Sequence, residues 1–122
     1  MQFYISKTTG EIVTKLTDKE ALLSSNGEEM VELTANSTEA ATEKHKPIIV
    51  EEDGQKYAIV GSVVHPMTPA HYIEWMVVDY GTHQVVKHFE PTDEPKFKIC
   101  NSAEIKDIYA YCNLHGLWKL DK

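Results

Sequence analysis

At 122 residues the chain is long enough for one domain with a sizeable core, or for such a domain plus a small appendage. Its 42% hydrophobic and 25% charged content is that of a soluble globular protein, with no membrane-length apolar run and no basic-then-apolar leader, so the cytoplasm is the expected compartment and no membrane partner is expected. All 12 basic residues are lysines against 19 acids, and the resulting charge of −7 without a basic patch argues against nucleic acid as a partner.

Residues 1–35 hold only short apolar runs, Phe3-Tyr4-Ile5, Ile12-Val13 and Leu22-Leu23, divided by polar residues and glycine. They predict two or three short strands with turns at Thr9-Gly10 and Asn26-Gly27. Residues 35–43 read as a linker or one weak helical turn, and the domain boundary is expected near 36–40, separating a unit of residues 1–36 from one of 37–122.

From residue 45 the pattern is that of strands. Pro47 to Glu52 and Gln55 to Ser62 flank Asp53-Gly54, a dipeptide suited to a tight hairpin. His71 to Tyr80, His83 to Glu90, Lys96 to Cys100 and Asp107 to Cys112 follow, the last read as the final strand. Six or seven short strands separated by turn signals predict an all-β fold, an immunoglobulin-like antiparallel β-sandwich. Loops at one end of such a sandwich converge, so residues distant in sequence can meet at one ion.

Two cysteines do not make a disulfide framework. Cys100 lies in an alternating run and is expected to be a small, buried or half-buried thiol. Cys112 differs, because Cys112-Asn113-Leu114-His115-Gly116 sets a thiol and an imidazole three residues apart before a glycine that lets the chain turn back. Two ligands are too few for a stable site. Further candidates are His65 and His71, in a loop stiffened by Pro66 and Pro69, and His45 after Glu43-Lys44. His83 and His88, inside a strand without liganding neighbours, are expected to be ordinary polar residues.

Four histidines and a cysteine exceed the four ligands of structural zinc, and imidazole with a single thiolate suits iron or copper. A blue-copper site commonly takes a methionine downstream of its cysteine, and none follows Cys112. A mononuclear non-haem Fe(II) fits better.

The stretches Glu43-Lys44-His45, His65-Pro66-Met67-Thr68-Pro69-Ala70-His71-Tyr72-Ile73-Glu74-Trp75 and Tyr111-Cys112-Asn113-Leu114-His115-Gly116-Leu117-Trp118 resemble the superoxide reductases, the desulfoferrodoxin/neelaredoxin family. The resemblance implies one mononuclear non-haem iron per chain, Fe(2+)/Fe(3+), with His45, His65, His71 and His115 as equatorial ligands and Cys112 as the axial thiolate. Glu43 would be the sixth ligand in the ferric state, and Lys44 the cation beside the open face. It implies an enzyme that reduces superoxide to hydrogen peroxide with one electron from a rubredoxin-like donor, working as a homodimer. The amides of Asn113 and Leu114 are expected to hydrogen-bond the sulfur.

The N-terminal residues resemble the family's small desulforedoxin-like domain with a departure. Ser6, Thr9, Ser24 and Ser25 stand where that domain carries four cysteines on a second iron. A hydroxyl does not replace a thiolate there, so the resemblance implies a domain kept without its iron. The alternatives are an electron-transfer protein that binds no substrate, a β-sandwich with a structural zinc, and, nearest in chemistry, a superoxide dismutase.

Overall fold

The computed structural model describes residues 1–121, and two compact units meet in sequence between Thr34 and Ala35. The division lies just upstream of the 36–40 stretch expected from composition.

The first unit is built from five short strands rather than two or three: β1 (Phe3–Ile5), β2 (Ile12–Thr14), β3 (Ser24–Ser25), β4 (Glu28–Glu29) and β5 (Val31–Glu32). Strand β1 is the middle of an antiparallel sheet in the order β2-β1-β5, and β3 pairs with β4 across Asn26-Gly27. Both turn residues have positive φ, 52° and 79°, the backbone of a type I′ hairpin. Phe3, Ser6 and Met30 are buried, a small core for a small unit. Ser6 Oγ accepts the Thr9 amide at 3.1 Å and its carbonyl accepts the Gly10 amide at 2.7 Å, closing Ser6–Gly10 into a tight knuckle.

The second unit opens with one helical turn, α1 (Thr42–His45), followed by β6 (Pro47–Glu52), β7 (Gln55–Val60), β8 (Ile73–Asp79), β9 (Gln84–His88), β10 (Lys96–Lys98), β11 (Asp107–Cys112) and β12 (Gly116–Lys119). These strands form two antiparallel sheets, β10-β7-β6 and β12-β11-β8-β9. Asp53 and Gly54 take φ of 51° and 79° at the β6–β7 turn, and the register runs from Glu52 opposite Gln55 to Pro47 opposite Val60. Ala58 and Val60 of one sheet meet Ile73, Met76, Val78, Ile108, Ala110 and Cys112 of the other in a single core. The unit is thus the expected β-sandwich. Each fully buried aliphatic side chain in it contributes roughly 1.5–3 kcal/mol.

Two expectations are corrected. Asp107–Cys112 is not the last strand, because Gly116 (φ 78°) lets the chain reverse and β12 pairs with β11 from Cys112↔Gly116 to Tyr109↔Lys119. Cys100 is exposed rather than buried: β10 ends at Lys98, and the thiol lies beyond the sheet with Sγ 3.5 Å from Ser102 Oγ. Among the described residues, no helix is long and apolar enough to cross a membrane.

Candidate metal centre

Each candidate ligand is delivered by a local device. His45 ends α1, a turn closed by the Lys44 amide on Ala41 O (3.1 Å) and the Lys46 amide on Thr42 O (3.0 Å). His71 closes a tight turn around Pro69-Ala70, where Thr68 and His71 exchange both main-chain hydrogen bonds at 3.0 Å. His65 lies earlier in the same β7–β8 loop. Cys112 is the last residue of β11, buried along its length, and His115 immediately precedes β12.

The four rings form a square. Centroids are 4.6 Å apart for His45–His65, 4.7 Å for His65–His71, 5.0 Å for His71–His115 and 4.8 Å for His115–His45, with neighbouring rings inclined by 76–87°. Across the diagonal His45 and His71 are 6.3 Å apart and inclined by 26°. A tetrahedral set would make all separations equal. Ligand atoms of His45, His65, His71 and Cys112 all lie within 4.8 Å of one another, and Cys112 Sγ is 3.8 Å from His115 Nδ1.

Ring orientation tests whether the set fits a cation. His45 Nδ1 is 2.8 Å from Ala41 O and His65 Nδ1 is 2.6 Å from Pro66 O. A nitrogen facing a carbonyl carries the ring proton, which leaves each Nε2 as a lone pair. Those two lone pairs face each other at 3.0 Å, and His115 Nδ1 is also 3.0 Å from His45 Nε2. Two nitrogens at right angles around an ion ~2.1 Å from each would stand about 3.0 Å apart. His71 Nε2 is buried without a hydrogen-bond partner among the described residues, a cost that a metal bond removes. The donors fit a transition metal, and their square layout is not that of tetrahedral structural zinc.

The electrostatics favour the forms that ligate. Burial lowers the pKa of His45, His65 and His71, the His65 value reaching about 4, and the neighbouring rings lower each further. Neutral imidazole is the ligating form. Burial pushes the Cys112 thiol up, opposed by hydrogen bonds from the Leu114 and His115 amides. A bound cation would be the missing influence that makes it a thiolate.

Lys44 is half-buried, and its charge makes the smallest contribution to lowering His45 and His71. Glu43 is exposed, and its carbonyl accepts the Val63 amide at 2.9 Å. His83 and His88 are exposed away from the square, His83 stacking on Tyr80 at 4.8 Å. The sulfur's amide donors are Leu114 and His115 instead of Asn113 and Leu114, because the Asn113 amide is taken by Tyr72 O at 3.2 Å. Trp118 also belongs to the site. Its ring stacks on His45 at 5.0 Å and 25°, and Nε1 donates to His115 O at 3.2 Å. Its place two residues after the Gly116 turn was the available signal.

The chain is similar to known proteins in sequence and in fold. The chain is 39% identical over 121 residues to a desulfoferrodoxin of Clostridium acetobutylicum, covering 99% of this chain and 96% of that one. It is 30% identical over 110 residues to a superoxide reductase of Pyrococcus horikoshii, covering 74% of this chain and 95% of that one. Among solved structures, the superoxide reductase from Treponema pallidum superposes with a TM-score of 0.75 at 25% identity over 98% of both chains. The desulfoferrodoxin family profile matches residues 37–121, the whole of the β-sandwich with its square of imidazoles, and the chain belongs to that family.

Proposed function

We propose that this chain is a superoxide reductase, which takes one electron from an external donor protein and two protons from solvent to convert superoxide to hydrogen peroxide. The observation that carries the reading is the square of four imidazoles with a buried cysteine sulfur beside it. His45, His65, His71, His115 and Cys112 would hold a mononuclear non-haem iron, which in its ferrous form would supply one-electron reducing chemistry at the site. The chain's own residues prepare that chemistry. Ala41 O and Pro66 O fix two rings in the ligating tautomer, and the Leu114 and His115 amides soften the sulfur's charge. In a protein of net charge −7, the half-buried Lys44 is the local positive charge that draws a small anion to the square and orders water to protonate it. Glu43, one residue before, serves as the carboxylate that closes the site after turnover. The donor is a small rubredoxin-like protein, the working form a homodimer, and the compartment the cytoplasm.

The first unit is a desulforedoxin-like domain without its iron. It contains no cysteine and no histidine, and Ser6 spends its hydroxyl on the Thr9 amide. Its role is structural.

The test is metal content with the visible spectrum of oxidised and reduced protein, combined with the stoichiometry of superoxide consumption. One peroxide for each superoxide, with iron and a thiolate charge-transfer band, is the expected result. One peroxide for every two superoxides would make the protein a dismutase, and redox-silent four-coordinate zinc would end the reading altogether.

A further inference from the structure

His45 and His65 are each oriented by a carbonyl at Nδ1, but His71 has no such tether and its Nε2 is a buried atom without a partner among the described residues. Its ring is therefore aimed by the main chain that carries it. That main chain is held from one side by the Thr68 bridge. From the other side it is held by one residue of the cysteine loop. Asn113 Oδ1 accepts the Tyr72 amide at 3.0 Å, Asn113 Nδ2 donates to Ala70 O at 3.0 Å, and the Asn113 amide donates to Tyr72 O at 3.2 Å. The three bonds bracket His71, and Asn113 is bonded directly to Cys112 in the chain.

We propose that Asn113 is a positioning residue, fixing the separation of the His71 imidazole from the Cys112 sulfur and so the affinity and electronic character of the metal centre. It rests on the reading of the square as a metal site. A ligand ring without its own tether depends on its supporting loop, and a supporting side chain of this kind typically changes metal affinity about 10–100-fold when removed. Asn113 touches neither substrate nor reacting atoms.

Asn101 supplies a matched control. Its Oδ1 accepts the Lys56 amide at 2.8 Å and Gln55 Nε2 at 3.3 Å, and its Nδ2 donates to Gly54 O at 2.7 Å, a comparable side-chain clamp at the turn of the β6–β7 hairpin. The experiment titrates metal-free full-length protein with Co(II), following the thiolate-to-cobalt band, beside a denaturant unfolding curve of each metal-free variant. Asn113→Ala is expected to bind Co(II) about 10–100-fold more weakly with a shifted band. Asn101→Ala is expected to lose stability while keeping the parent's affinity and band. Should Asn113→Ala fail to fold, Asn113→Ser keeps a polar group too short to span both loops, and the same loss is expected. Parental affinity and band in the folded Asn113 variant, or an equal loss in Asn101→Ala, would overturn the positioning role alone. A parent protein that shows no thiolate band with Co(II) would overturn the metal centre and this proposal with it.

Discussion

Gly61 lies so close against the main chain of Glu43 that a Cβ at position 61 would come 2.6 Å from the Glu43 carbonyl oxygen and 2.8 Å from the Lys44 carbonyl carbon. Its φ of +75° and the hydrogen bond from its amide to Lys46 O at 2.8 Å seat the end of β7 under the helical turn that carries His45. The contact atoms are backbone and cannot swing aside. Gly61→Ala should therefore cost more than the ~1–2 kcal/mol of the left-handed backbone alone and should loosen metal binding as well. Chemical denaturation and a metal titration of the variant check both halves, and a variant as stable as the parent would show that the turn yields freely.

Cys112 is fully buried at the end of β11, and its sulfur is the only thiol in the cage. Cys112→Ser leaves a hydroxyl, a harder and far less acidic donor, in nearly the same space. The oxidised protein should lose its thiolate charge-transfer band while the far-ultraviolet circular dichroism stays that of a β-sandwich. Survival of the band would remove the cysteine from the ligand set.

Lys44 and Glu43 should separate cleanly in kinetics. Lys44→Ala should slow the bimolecular encounter with superoxide by about 10-fold or more and flatten its dependence on ionic strength, since the local attraction is gone. Pulse radiolysis across a salt series reads this, and an unchanged rate would strip Lys44 of its role. Glu43→Ala should instead alter the ferric spectrum and leave the encounter rate near that of the parent.

The metal-free protein should be acid-sensitive in a defined window. His65 titrates at about 4 in the folded state against 6.5 unfolded, because its burial disfavours the imidazolium, and His45 and His71 are displaced the same way. Between those values the unfolded chain binds more protons than the folded one, so stability is complete above about pH 6.5 and falls as the pH drops towards 4. The loss from His65 alone is on the order of 1–3 kcal/mol. Urea midpoints of metal-free protein at intervals from pH 7 to 4 measure it, and a flat profile would mean that the rings are hydrated in the absence of metal.

Much of the β-sandwich was legible because its strands are bounded by strong punctuation. Pro47 and Asp53-Gly54 delimit β6, and Asp107–Cys112 reads as one buried run, so these spans match the structure residue for residue. Strand β12 escaped because Gly116-Leu117-Trp118-Lys119 is too short to show a period, and only its pairing with β11 makes it a strand. The candidate ligands were legible from residue type and from their places beside turns. The tethers were not, since Ala41 O and Pro66 O are main-chain atoms that any sequence would offer. The role of the Asn113 side chain was equally hidden, because its partners at Ala70 and Tyr72 lie more than forty residues away.

The cage closes between His45 and His115, residues 70 apart, with its other members drawn from a separate loop and a strand end. During synthesis the nascent chain therefore exposes only fragments of it, first a lone imidazole, then the His65 and His71 pair, and last Cys112 with His115. Such fragments would hold an ion weakly, so a metal bound by the complete set would add its free energy to the docked sandwich. An ion met on the ribosome would find no complete set of ligands, and its selection would fall to the geometry and ligand types of the folded cage together with the metals available.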